Sequence, residues 1–218
     1  MLKYPCLILD HDDTVVNSTA TIHYPCFVDF LKKYRPGMHC SLEEYFLKNF
    51  DPGFVDMCRT DYGMSDAELL EETRFWQNYV EDHVPEVYPG IREIMRRQKA
   101  QGGLLCVVSH SFDYNIRRDY AANDLPEPDA VFGWELPLEQ RKPMAWPLEE
   151  IMRRYALRPE ELLVIDDLKP GYDMARRCGV DFAAVGWSND LPAIERFMRQ
   201  NGKLYFKRVD ELAAFLED

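Results

Sequence analysis

The sequence predicts an α/β protein: a doubly wound, mainly parallel sheet with an α-helical domain inserted after the first strand. Three observations carry that expectation. Short apolar runs alternate with amphipathic helical patterns through most of the 218 residues, as expected of strands buried on both faces and joined by crossover helices. Between about residues 17 and 88 the alternation stops and helical patterns follow one another. Polar residues stand directly after three of the apolar runs, where parallel α/β sheets bind ligands.

The first strand is expected over residues 4–9, and its apolar stretch Leu7-Ile8-Leu9 ends abruptly in Asp10-His11-Asp12-Asp13-Thr14. At an effective dielectric near 20, two carboxylates about 4 Å apart repel by roughly 4 kcal/mol. Placing such charges beside a core calls for a cation or a proton, which makes Asp10 and Asp12 candidates for a metal site or for a nucleophile with an acid/base partner. The insert follows, with helices expected over 26–34, 42–49 and 66–81 and breaks at Pro25, Pro36-Gly37 and Pro52-Gly53. No strand pair is expected there, and Pro85 and Pro89-Gly90 mark the return to the core. Over residues 16–88 there are six basic against thirteen acidic residues, a net of −7. The basic cluster Lys32, Lys33 and Arg35 reads as a solvated helix end.

The alternation then resumes: helix 90–101, strand 104–108 ending at Ser109-His110-Ser111, helix 112–122, a weaker strand 130–132, helix 145–156, strand 162–165 ending at Asp166-Asp167, helix 171–178, strand 182–185 and helix 190–200. The expected organisation is a Rossmann-like core of residues 1–16 and 89–218 around a helical insert of residues 17–88. The pattern contains no internal repeat, so one core and one insert account for the chain.

A net charge of −12 argues against nucleic acid or an anionic membrane as partner. An anionic substrate must therefore be drawn by local positive charge or a bound cation. The six cysteines are scattered without paired spacing, which is neither a zinc pattern nor a disulfide framework, and a reducing cytoplasmic location is expected. The first apolar run is too short for a signal peptide and no window reaches the length of a membrane span.

Four polar sites recur in order: Asp10-His11-Asp12-Asp13-Thr14, Ser109, Lys142 in Arg141-Lys142-Pro143, and Asp166-Asp167 followed by Gly171. Each has a structural explanation alone: a helix cap for Ser109, a surface side chain for Lys142, a turn for the Asp pair. Together they suit phosphoryl transfer. One carboxylate can attack phosphorus while a second, two residues on, protonates the leaving oxygen. A hydroxyl and a lysine can hold the phosphoryl oxygens, and further carboxylates can complete an oxygen-rich Mg²⁺ site.

In these residues the chain resembles the haloacid dehalogenase superfamily of hydrolases, in its phosphatase-like branch with a helical cap, which includes phosphoglycolate phosphatases and β-phosphoglucomutases. Asp10-x-Asp12-Asp13-Thr14 matches the first family motif, Ser109 the second, Lys142-Pro143 the third, and Asp166-Asp167-x-x-x-Gly171 with Ala175 and Gly179 the fourth. Asn17-Ser18 and Tyr88-Pro89-Gly90 resemble the segments flanking the cap. The resemblance implies Asp10 as nucleophile through an aspartyl-phosphate and Asp12 as general acid/base. It implies Ser109, with the adjoining His110, and Lys142 as phosphate contacts. It further implies Mg²⁺ held by Asp10, the Asp12 carbonyl and Asp167, with Asp166 adjacent or water-mediated. Asp13 stands where the family frequently has Gly, and the His11 side chain is expected to point away from the reacting atoms.

The expected activity is hydrolysis of a small phosphorylated metabolite by a monomer or weak dimer. Asp12 argues against a dehalogenase, which needs no acid there. A phosphonate-cleaving relative would need a Schiff-base lysine, and Lys32, Lys33 and Lys48 offer no matching context. A phosphosugar mutase is the alternative, its early cap histidine approximated by His23 one position out of register. A phospho-acceptor receiver domain would have its Ser and Lys after both acidic groups, and a non-catalytic binding protein would not need the full set of side chains. Cap contacts to substrate are expected from His23, Lys48 and Arg59.

Overall fold

Six parallel strands in the order β5-β4-β1-β6-β7-β8 form the sheet of the computed structural model, which describes residues 2–217. In chain order the elements are β1 (Cys6–Leu9), β2 (Val16–Asn17), a π-helical turn (Thr19–His23), α1 (Tyr24–Tyr34), α2 (Leu42–Phe50), α3 (Phe54–Thr60), α4 (Asp66–Glu81), β3 (Glu86–Val87), α5 (Ile91–Ala100), β4 (Leu104–Val108), α6 (Asp113–Ala122), β5 (Ala130–Phe132), α7 (Trp146–Tyr155), β6 (Leu162–Asp166), α8 (Lys169–Cys178), β7 (Asp181–Val185), α9 (Pro192–Asn201), β8 (Leu204–Phe206) and α10 (Val209–Glu217). The architecture is the Rossmann-like α/β class that the alternating pattern predicts.

The strand order brings the chemistry-bearing segments together. β1 pairs with β4 on one side and β6 on the other, Leu9 lying opposite both Val107 and Ile165. The chain therefore reverses direction across the sheet at β1, and the carboxyl ends of β4, β1 and β6 are neighbours, the switch point where such sheets bind ligands. The strands can be continuous apolar runs because helices cover both faces: Leu7, Leu105 and Leu163 are fully buried and share one core with Met95, Ile116 and Leu212.

Two compact units result, one comprising the residues up to Asn17 and from Glu86 onward, the other Ser18–Pro85. The second is helical and has its own core. Phe27, Phe30 and Leu31, buried on α1, pack with Tyr45, Met57, Cys58 and Met64. Phe27 meets Tyr45, Phe54 and Tyr62 with ring centroids 5.3–5.5 Å apart, the last two in the edge-to-face geometry that aromatic quadrupoles favour. Capping boxes Ser41/Glu44 and Ser65/Glu68 start α2 and α4, satisfying the first free N–H groups.

Several details differ from the pattern reading. Pro25 does not break a helix but occupies the first turn of α1, where its missing N–H is not needed. The seven-residue α3 was not expected, nor were β8 and α10 beyond residue 200. A strand pair does exist at the root of the insert: β2 and β3 run antiparallel, Val16 opposite Val87 and Asn17 opposite Glu86. A two-residue ladder is too short to show alternation. Asn17 and residues 86–88 accordingly count with the sheet-bearing unit. All six cysteines are free and five are buried. Among the described residues no helix is long and apolar enough to cross a membrane.

Candidate active site

The loop after β1 is tightly wound. Asp10 N–H donates to the Ile165 carbonyl (3.0 Å), Val15 and Val16 N–H both donate to the His11 carbonyl (3.0 and 3.1 Å), and Asp13 N–H donates to the Val16 carbonyl (2.7 Å). This turn forces Asp13 to φ 57°, a left-handed conformation that Asp tolerates and glycine adopts freely. That is the physical reason for a glycine at this position in the motif the sequence resembles. Asp13 itself is buried.

Lys142 lies at the centre of the site. Its Nζ donates a hydrogen bond to Asp166 Oδ2 (2.9 Å) and stands 3.0 Å from Asp10 Oδ1. The side chain is 1% exposed, so both ion pairs are desolvated and all three groups depend on one another. Asp10 Oδ1 receives charge but no aligned hydrogen bond. Burial alone would lower the Lys142 pKa; the two carboxylates outweigh it and raise it. Asp166 Oδ1 accepts from Leu168 N–H (2.8 Å), so both its oxygens are engaged. Burial pushes Asp166 up to about 7, with Lys142 opposing the shift. Burial, then the charges of Asp13, Asp166 and Asp10, hold Asp167 well above the usual carboxylate range. Gly171, near the start of α8, lets the helix approach closely: a Cβ there would collide with the Asp166 carboxylate.

Carboxylate oxygens of Asp10, Asp166 and Asp167 lie within 4.8 Å of one another, all three residues buried. When ionised, three buried acids against one lysine carry an excess of negative charge, and hard oxygen donors of this kind suit Mg²⁺. The unaligned Asp10 Oδ1 and the raised Asp167 are what a site completed by a cation would present without it. Thr14 Oγ1 donates weakly to Asp167 Oδ1 (3.4 Å).

The second strand end supplies a different set. Ser109 is buried and its Oγ accepts from Ser111 N–H (3.1 Å). Ser111 Oγ donates to Asp12 Oδ2 (2.6 Å), a contact the sequence reading did not assign although Ser111 adjoins the motif. Asp12 is half-buried. His110 donates through Nε2 to the Lys142 carbonyl (2.9 Å), because a carbonyl can only accept. Burial and the Lys142 charge lower its pKa to about 4, so the ring is neutral near pH 7. Its ring lies edge-on to Trp134 at 5.5 Å, over which the Arg141 guanidinium stacks at 4.3 Å. The His11 ring turns to Asp119 Oδ2 on α6 (3.0 Å), a partner that no sequence motif signals.

Thus Asp10, Lys142, Asp166 and Asp167 meet directly; Asp12 joins Ser109 through Ser111; and His110 holds the backbone of Lys142. The residues expected to read substrate from the insert are paired within it. Lys48 binds Asp61 (2.6 Å) and Arg59 binds Asp66 (2.8 Å), while His23 Nδ1 accepts from Trp76 Nε1 (2.9 Å). In the basic cluster, Lys32 binds Asp29 (2.9 Å), Arg35 binds Glu68 (2.5 Å), and Lys33 lies over the Tyr34 ring (4.8 Å).

Comparison with known proteins gives a consistent result. The family model for haloacid dehalogenase-like hydrolases matches residues 7–185. The pyrophosphatase PpaX of Bacillus cereus (strain AH820) is 23% identical over 187 residues, spanning 86% of this chain and 85% of that protein. Among solved structures, a haloacid dehalogenase-like hydrolase from Bacteroides fragilis superposes with a TM-score of 0.81 at 20% identity, covering 96% of this chain and 100% of the other. A predicted phosphoglycolate phosphatase from Haemophilus somnus 129PT gives a TM-score of 0.79 at 17% identity, covering 99% of both. The structural likenesses establish the fold.

Removing the central cation should expose how much of the local charge it balances. Lys142→Met leaves Asp10 and Asp166 buried without it and is expected to cost about 3–5 kcal/mol in urea denaturation. Adding Asp10→Asn to that variant should recover part of the loss. A double variant no more stable than the single one would contradict this charge balance.

Proposed function

The chain belongs to the haloacid dehalogenase-like hydrolases, and from that premise we propose that it is a Mg²⁺-dependent phosphatase of a small phosphorylated metabolite, working through an aspartyl-phosphate. The observation that carries the reading is the buried Asp10, ion-paired to Lys142 at 3.0 Å and grouped with Asp166 and Asp167 where three strand ends adjoin.

The Asp10 carboxylate attacks phosphorus, forming a P–O bond as the bond to the leaving oxygen breaks. Lys142, 3.0 Å from Asp10 Oδ1, orients the nucleophile and balances charge on the transferring group. Asp12 gives the leaving oxygen its proton and then takes one from the water that hydrolyses the aspartyl-phosphate. The Ser111 hydroxyl, donating to Asp12 Oδ2, fixes that carboxyl's orientation. Ser109 and His110 adjoin the phosphoryl group, Ser109 through its hydroxyl. Mg²⁺ would be held by Asp10, the Asp12 carbonyl and Asp167, with Asp166 adjacent, and when bound would neutralise charge and polarise the phosphoryl group as a Lewis acid. Asp166, whose oxygens already serve Lys142 and Leu168 N–H, supports the lysine. The helical insert acts as a cap that closes during chemistry and opens for exchange.

The substrate is best sought among phosphoglycolate, pyrophosphate, sugar phosphates and nucleotides, since the curated relative is a pyrophosphatase and one structural neighbour a predicted phosphoglycolate phosphatase. The same panel with a bisphosphate primer tests the mutase alternative.

Asp10→Asn should fold, because Lys142 keeps Asp166 as a partner, and should show no turnover of p-nitrophenyl phosphate; normal turnover would remove Asp10 as nucleophile. EDTA should abolish activity and excess Mg²⁺ restore it, while full activity in chelator would remove the metal. Asp12→Asn should slow alkyl phosphates by about 10²–10⁴-fold and p-nitrophenyl phosphate much less, because nitrophenolate leaves without a proton. Equal losses on both would contradict the acid assignment.

A further inference from the structure

We propose that His11 and Asp119 are a positioning pair that sets the aim of the Asp10–Asp12 loop and so governs the chemical step; this rests on the phosphatase reading above.

His11 stands between the nucleophile and the acid, and its carbonyl accepts both Val15 and Val16 N–H, which makes it the pivot of the turn. Its side chain is buried (1% exposed) and reaches Asp119 Oδ2 at 3.0 Å. Asp119 lies on α6, the helix that begins at Asp113, two residues after Ser111. The bond therefore ties the loop carrying Asp10 to the segment carrying Ser109. Ser111 to Asp12 is the second tie between the same two segments. His11 Nδ1 is buried without a hydrogen-bond partner among the described residues, so Asp119 is the ring's polar anchor. Tyr120 packs against the ring at a centroid distance of 5.8 Å and fixes its plane.

The cost of the arrangement points to a role beyond stability. Asp119 is a buried carboxylate, held at Oδ1 by Arg118 Nε (2.8 Å) and Nη2 (2.6 Å) and at Oδ2 by His11. Buried ion pairs are commonly replaceable by apolar side chains without loss of stability. What apolar packing cannot reproduce is direction. The Nε2–H to carboxylate bond sets the rotation of His11, and with it the backbone on either side, where Asp10 and Asp12 must be aimed at opposite ends of one phosphoryl transfer. A displacement of about 1 Å in such a constellation can cost about 100-fold in rate.

The experiment measures kcat and KM for p-nitrophenyl phosphate, with melting temperatures, in His11→Phe, Asp119→Leu, their double variant and Asp119→Asn. His11→Phe keeps the ring packing and removes the hydrogen bond, and remains informative if Asp119→Leu does not fold. Expected are folded single variants with kcat reduced about 10–100-fold and KM within about twofold, non-additive losses in the double variant, and near-parental kcat in Asp119→Asn, whose amide oxygen still accepts from Nε2. Folded variants with parental kcat, a loss confined to KM, or an Asp119→Asn as impaired as Asp119→Leu would overturn the proposal. An inactive parent protein would instead remove the phosphatase reading, so the two failures are distinguishable.

Discussion

The contact on which the rest of the site depends is the buried Lys142 ammonium between Asp10 and Asp166. Without it, two carboxylates would face one another in a low-dielectric environment, and at an effective dielectric near 20 each close pair costs several kcal/mol. With it, Asp10 lies buried beside a balancing charge, with Oδ1 not committed to a hydrogen bond. The same arrangement suits the nucleophilic role proposed for Asp10, since a carboxylate fully satisfied by hydrogen bonds would be a weaker nucleophile.

Lys142 holds that position through interactions from three directions. Asp166 is fixed by Leu168 N–H and by the helix that Gly171 allows to pack closely. The Lys142 carbonyl is fixed by a neutral His110. Asp10 is fixed by its N–H bond to Ile165 across the sheet. Each restraint starts at a strand end, so the precision of the site comes from sheet register, and the loops contribute the side chains.

The strand ends were legible in the sequence because parallel strands buried on both faces are written as apolar runs, and Asp10, Ser109 and Asp166 each terminate one. Lys142 was legible only through its place in the order of the four sites, since its burial leaves no local mark. Asp119 was invisible. It lies on an amphipathic helix among other charged residues, and only the tertiary structure shows that it faces inward. Ser111 was within the motif's neighbourhood, but its bond to Asp12 joins residues 99 positions apart, a separation no periodicity reports. The β2–β3 ladder, β8 and α3 were missed because two, three and seven residues are too few to establish a period.

That small ladder has an evolutionary consequence. Asn17 and Glu86 are paired antiparallel neighbours, so the chain leaves and re-enters the sheet-bearing unit at almost the same point. Antiparallel neighbours can be closed by a two-residue turn as well as by the 68 residues of Ser18–Pro85. Insertion, loss or exchange of the whole helical unit therefore requires no rearrangement of the sheet. A lineage can keep the sheet and the residues at its strand ends while trading the inserted helical unit, so such chains can diversify by recombination as well as by point mutation.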